Sequence, residues 1–263
     1  MTAQPVDILV IGGGIHGAAV ARDAAGRGLK VMLAEKSDYA SATSSASSKL
    51  IHGGLRYLEQ LELALVRESL VERAGLLKTA PHLVEPIRFL LPIYGWQKRP
   101  ALLLHTGLAL YDLLSIGDGL PPSGRLKAQE IGALPRLRRE NLNAVLQYHD
   151  CQTDDARFVL AVLLDARARG ADIRNRRAVT AIEPLANGYA VEMDERGVKN
   201  RVDARFIVNA AGPFVAEIDA MSHEGKAKAA RLWIEQQADR EPSPLQPIDP
   251  DQRFQKVKQH KRA

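Results

Sequence analysis

The chain has 263 residues, of which 46% are hydrophobic and 25% charged, with a formal net charge of +5. This length supports one or two domains with a real core. Aromatic content of 5% and the lack of a concentrated basic stripe argue against nucleic acid as a partner; the mild positive charge suits an anionic cofactor, substrate or membrane surface. Cys151 is the single cysteine, so no intrachain disulfide is expected and a reducing, cytoplasmic setting follows. The N-terminus lacks the basic region and cleavage site of a signal peptide. The longest apolar stretch, residues 101–116, contains His105 and Asp112 and is too short for a bilayer span, which leaves peripheral attachment as the membrane option.

Residues 6–11 form an apolar, β-prone run that leads straight into Gly12-Gly13-Gly14-Ile15-His16-Gly17. Gly12, Gly14 and Gly17 stand at the G-x-G-x-x-G spacing: one for the tight turn, one for close approach of a pyrophosphate, one for helix–strand packing. An alanine-rich helix over 15–27 stops at Gly28, and a second strand over 30–35 ends on Glu35. An acid there can accept hydrogen bonds from ribose hydroxyls, and the helix N-terminus offers N–H groups to phosphates. The unit reads as a right-handed βαβ dinucleotide site.

Residues 42–58 form a serine cluster that continues into L-I-H-G-G-L-R-Y-L. The pattern predicts a loop and helix start whose hydroxyls face phosphates, followed by a Gly-Gly turn. Residues 61–78 show apolar spacing at 61, 65, 66, 70, 74 and 77, with Arg67, Glu68, Glu72 and Arg73 between, as in a solvated amphipathic helix. Residues 88–94 read as a proline-interrupted edge or bulged strand, 100–116 as an apolar helix with Pro100 at its start, and 127–132 as a short helix.

The patch Tyr148-His149-Asp150-Cys151-Gln152-Thr153-Asp154-Asp155 has no zinc spacing and no base partner for its thiol. It reads as structural, with Thr153 or Asp154 capping a helix over 156–169. Strands over 178–184 and 189–194 flank the Asn187-Gly188 turn, and a strand over 205–209 enters Ala210-Ala211-Gly212-Pro213.

The stretch T-S-S-A-S-S-K-L-I-H-G-G-L-R-Y-L-E (43–59) resembles the signature of the FAD-dependent, respiratory glycerol-3-phosphate dehydrogenases, within the glycine/D-amino-acid oxidase group of flavoproteins. R-F-L-L-P, L-Y-D-L-L and Y-x-D-C-x-x-D-D-A-R resemble the same family more loosely. Phe214 departs from the family's usual tryptophan. The resemblance implies an α/β fold: a Rossmann-like FAD-binding domain, βαβ with a mixed sheet, from 1–60 and 148–220, and an inserted partial cap or substrate region over 61–147.

The resemblance further implies FAD contacts from Gly12, Gly14, Gly17, Glu35, Thr43, Ser44, Ser45, Ser47, Ser48, Lys49, Gly53, Gly54, Val179, Ala211 and Gly212. The implied reaction is oxidation of glycerol 3-phosphate to dihydroxyacetone phosphate with electrons passed to a quinone. Arg56 and Tyr57 match the substrate-facing pair. For Arg56 the alternative is a surface ion pair. His52 reads either as the base or as a packing or flavin-positioning residue.

From Met221 onward the resemblance ends. Residues 222–263 are charged and then proline-rich, and 227–238 reads as a solvated helix. This tail reads as a substitute ending, by truncation, frameshift or shortening of a paralogue, which implies an impaired enzyme. Competing readings are a non-catalytic FAD-binding remnant, another amine or hydroxy-acid oxidase of the group, and an NAD-dependent Rossmann enzyme, in which the serine stretch has no place.

Overall fold

A computed structural model describes residues 5–97 and 101–221. The expectations for Pro100 and for the 222–263 tail lie outside these residues. The described chain divides into two compact units, one built from residues up to Ser47 and from Asp155 onward, the other from Ser48–Asp154. Its elements, in chain order, are β1 (Val6–Ile11), α1 (Ile15–Gly26), β2 (Val31–Ala34), β3 (Leu50–Ile51), α2 (Leu63–Thr79), β4 (Val84–Tyr94), α3 (Ala101–Leu114), β5 (Gly124–Arg125), α4 (Ala128–Ala133) and β6 (Leu142–Thr153). There follow α5 (Asp155–Ala168), β7 (Asp172–Arg174), β8 (Arg177–Leu185), β9 (Gly188–Glu195), β10 (Val198–Asn209) and α6 (Val215–Met221).

The first unit carries a six-stranded mixed sheet in the order β7-β2-β1-β10-β9-β8. The strands β7, β2, β1 and β10 run parallel, whereas β9 pairs antiparallel with β10 and β8. Apolar runs without polar alternation suit strands covered on both faces. Ile8, Val10, Val31 and Leu33 face a layer with Ala18, Ala21, Val159 and Leu163 from α1 and α5. Leu9, Ile11, Met32 and Ala34 pack with Val191, Met193 and Val202 on the other face. Ala18 and Ala21 are fully buried, so their lack of bulk lets α1 lie close. Arg22 on α1 meets Asp165 on α5 at 2.8 Å, tying the two helices.

The second unit is a small antiparallel sheet ordered β3-β6-β4, with β5 also on β6. Pro86 and Pro92 both lie on β4, an edge strand, at positions of the same parity, so both missing N–H groups fall on one side of the strand. The ladder shifts register at Ile93/Tyr94, so the edge carries a bulge or irregularity as well as its prolines.

Three expectations change. Residues 48–60 and 148–154 belong to the second unit, because Leu50 and Ile51 pair with Gln152 and Cys151 of β6. The polar patch at 148–153 is therefore the end of a central strand. Thr153 does not serve as the cap: its hydroxyl donates to Leu83 O at 2.8 Å and its N–H to Lys49 O at 2.9 Å. On α2 the buried stripe is Val66, Leu70 and Arg73, at i, i+4 and i+7, while Leu65 is half exposed. Arg73 is thus in the interior and not on a solvated face.

Ala21→Leu forces an isobutyl group into the closed α1–sheet layer. It should lower unfolding free energy by about 1–3 kcal/mol in urea titration, and an unchanged midpoint would refute the packing role of these alanines.

Candidate functional site

In the first unit the glycine turn lies at the C-terminal end of β1, beside the turn that follows β10. Gly12 has φ +114°, and a Cβ there would stand 2.4 Å from Ala210 O. A Cβ on Gly17 would stand 1.9 Å from Gly12 O. Both positions therefore need glycine for steric reasons. Gly14 begins α1 with no side chain of its own to cap it, and Ile15 N–H donates instead to Ser44 Oγ at 3.0 Å. A helix start leaves its first N–H groups without intrahelical acceptors and presents a positive dipole end. The hydroxyl of Ser44 occupies the place where an anionic oxygen would be bound.

Glu35 closes the same crevice. Its Oε2 accepts from Gly13 N–H and its Oε1 from Ser37 N–H, both at 2.7 Å. The carboxylate is half-buried, and the Glu35 backbone ties the end of β2 to the end of β7 through Arg174 O and to the start of β8 through Arg177 N–H. Thr43 and Ser45 are exposed on the short 3-10 turn with Ser44, and Ser47 donates to Asp155 at the start of α5. The turn after β10 brings Ala211 and Gly212 next to the glycine turn, since Ala210 N–H donates to Ile11 O at 2.8 Å. Val179, by contrast, is buried within β8 among Met193 and Ile182. The structure thus brings Gly12, Gly14, Gly17, Glu35, Ser44, Ala211 and Gly212 to one crevice and sets Val179 in the sheet core.

In the second unit His52, Gly54, Arg56, Tyr57, Phe89 and Tyr148 line a cleft of about 340 Å³, at the small end of ligand-sized pockets. Ser48 and Lys49 are exposed just before it, and Lys49 adopts a left-handed φ of +59°. Gly54 is also left-handed, at +70°, and a Cβ there would meet the Tyr57 ring at 2.4 Å. A Cβ on Gly53 would meet Leu70 at 2.3 Å and Tyr111 Oη at 2.6 Å. Arg56 is exposed and Tyr57 is 39% exposed, so both can meet a ligand. His52 is exposed as well, and its Nδ1 accepts from Gly54 N–H at 3.0 Å.

Beneath this loop lies a polar network that sequence reasoning did not assemble. Arg73 donates to Asp150 and Asp118 in two close ion pairs. Tyr111 Oη lies 2.8 Å from Asp150 Oδ1 and accepts from Gly53 N–H at 2.8 Å. Burial disfavours the Arg73 charge, but Tyr111, Asp150 and Asp118 more than offset it, and the net displacement is upward. Burial first, and then the Asp150 carboxylate, push the Tyr111 phenol far above its usual range. The same two causes raise Tyr148. Tyr111 is therefore a protonated hydroxyl that gives its hydrogen to Asp150 and its lone pair to Gly53. Cys151 is buried, and burial pushes its thiol up to about 11, which fits an inert packing residue. The available sequence signal for Arg73 was its place on the buried phase of α2.

Residues 7–253 match the family described as FAD dependent oxidoreductase. The chain belongs to that family. The match runs past Met221, beyond the point where the signature-level resemblance ends. D-erythritol 1-phosphate dehydrogenase of Brucella abortus is 47% identical over 218 residues, 82% of this chain and 43% of its own length. Aerobic glycerol-3-phosphate dehydrogenase of Escherichia coli is 46% identical over 213 residues, 80% of this chain and 42% of its own. The glycerol-3-phosphate dehydrogenase of Bacillus halodurans, solved in complex with FAD, superposes with a TM-score of 0.62 at 32% identity, over 84% of this chain and 37% of its own. The chain spans about two fifths of the length of these relatives. L-proline dehydrogenase from P. horikoshii shares the fold, with a TM-score of 0.61 at 20% identity. Among the described residues no helix is long and apolar enough to cross a membrane.

In this member of the family, the residues that could hold an FAD are the glycine turn, the start of α1 with Ser44 Oγ on Ile15 N–H, and the Glu35 carboxylate after β2. Arg73→Met should lower stability by about 3–5 kcal/mol, because it strands two buried carboxylates. Urea unfolding measures this, and a loss below about 1 kcal/mol would mean the ion pairs are not formed in solution.

Proposed function

We propose that this chain carries the nucleotide-binding crevice and a substrate-binding wall of an FAD-dependent polyol-phosphate dehydrogenase, with glycerol 3-phosphate as the foremost substrate. The observation that carries the reading is the folding of the H-G-G-L-R-Y stretch into a small cleft that exposes Arg56. In this reading Arg56 holds the phosphate through charge-assisted hydrogen bonds, with Tyr57 beside it. His52 contributes a ring N–H to a substrate oxygen, since its Nδ1 is engaged by Gly54. In the first unit, Glu35 exchanges its bond to Gly13 N–H for ribose hydroxyls, and the start of α1 receives the pyrophosphate in place of Ser44. The serine and lysine residues 45–49 and the Gly53–Gly54 turn are read as further cofactor contacts, and Val179 as a backbone contact. FAD, when bound, would supply the acceptor for the hydride that leaves the alcohol carbon, with the hydroxyl proton released to solvent.

A four-carbon substrate is the second reading, favoured by the 47% identity to a D-erythritol 1-phosphate dehydrogenase. The test is the purified full chain reconstituted with FAD, read anaerobically with substrate alone for flavin reduction and then with a soluble quinone as acceptor for turnover. Glycerol 3-phosphate or D-erythritol 1-phosphate should bleach the flavin absorbance, while glycine and L-proline should not. Arg56→Met should reduce kcat/KM by about 10- to 100-fold, the loss of one charge-assisted contact. Bleaching by the amino acids alone, or an Arg56→Met enzyme that matches wild type, would overturn the reading.

A further inference from the structure

Arg73, Tyr111 and Asp150 are only 1–2% exposed. Apolar residues of similar volume would fill that space without the cost of desolvating charges. The network does, however, reach the backbone of the cleft loop. Tyr111 Oη accepts from Gly53 N–H at 2.8 Å, and Asp150 Oδ1 stands 3.4 Å from the same nitrogen. One residue further on, Gly54 N–H donates to His52 Nδ1 at 3.0 Å. The contacts that a Cβ would make at Gly53 and the left-handed backbone of Gly54 leave this loop few other ways to lie.

We infer that Arg73, Asp118, Asp150 and Tyr111 are positioning residues that set the tautomer of His52. The guanidinium fixes the Asp150 carboxylate by holding it together with Asp118. Asp150 takes the Tyr111 hydrogen, which turns the hydroxyl lone pair toward Gly53 N–H. With the 52–53 peptide pinned, the next amide reaches Nδ1. A donor at Nδ1 requires the lone pair there, so the neutral ring carries its hydrogen on Nε2. His52 then offers a ligand in the cleft a donor, suited to an alcohol or phosphate oxygen. The tautomer stands on this geometry alone, whereas its use on a polyol phosphate rests on the proposed function.

The tautomer is read from long-range 1H–15N spectra of the labelled full chain at about pH 8, where histidine is neutral. His52→Gln identifies the signal among the seven histidines. His52 should be the Nε2–H form in the wild type and should shift to a mixture of tautomers in Tyr111→Phe. Tyr94→Phe, in the same unit, should leave it unchanged. An Nδ1–H form or a mixture in the wild type, or an unchanged signal in Tyr111→Phe, would overturn the inference. If Tyr111→Phe loses native dispersion, Arg73→Lys decides in the same way, since it keeps the charge but not the fork that spans two carboxylates. Absence of turnover alongside the expected tautomer result counts against the proposed function alone.

Discussion

A guanidinium with 1% of its surface exposed, bonded to two carboxylates, is the interaction on which the second unit depends. It joins α2, the loop after α3 and the central strand β6, beside an apolar cluster in which Val66 and Leu70 of α2 meet Tyr111 of α3. Burial disfavours each of these charges singly, and only their mutual pairing makes the arrangement tenable. Such a network is demanding in geometry, and it fixes the loop that lines the cleft above it. The loop over it places a left-handed glycine, a pinned amide and a histidine nitrogen within a few residues.

The first unit is governed by a different constraint, close approach without side chains. Gly12, Gly17 and the turn at Ala210 leave no room for a Cβ, and Ala18 and Ala21 continue the same economy along α1. The result is a helix start held against strand ends, with its first N–H already bonded to an oxygen supplied from another segment. Hydroxyl and carboxylate acceptors, from Ser44 and Glu35, satisfy the Ile15 and Gly13 N–H groups; the proposed function has ligand oxygens take their place.

The first unit was legible because its signals are local and repeated at several levels. Strand, glycine turn, alanine-rich helix and terminal acid all point to the same βαβ arrangement. The hairpin at Asn187-Gly188 was equally plain. The second unit was less so. Strand β6 carries Gln147, His149, Asp150 and Gln152, and its identity comes from pairing with segments far away in sequence. Arg73 looked solvated because its partners lie 45 and 77 residues further on, a separation that periodicity cannot reveal. Tyr111 lies in a stretch that resembles the family, but its role depends on an amide 58 residues away. The cleft residues themselves were found from a motif; the reason their loop holds its shape was not.

The most direct test is a crystal structure of the full chain grown with FAD. Pyrophosphate density is expected against the start of α1, with Ser44 Oγ no longer on Ile15 N–H and Glu35 turned to the ribose. A dinucleotide bound elsewhere, or a crevice still closed by Ser44 and Glu35 at saturating FAD, would contradict this placement.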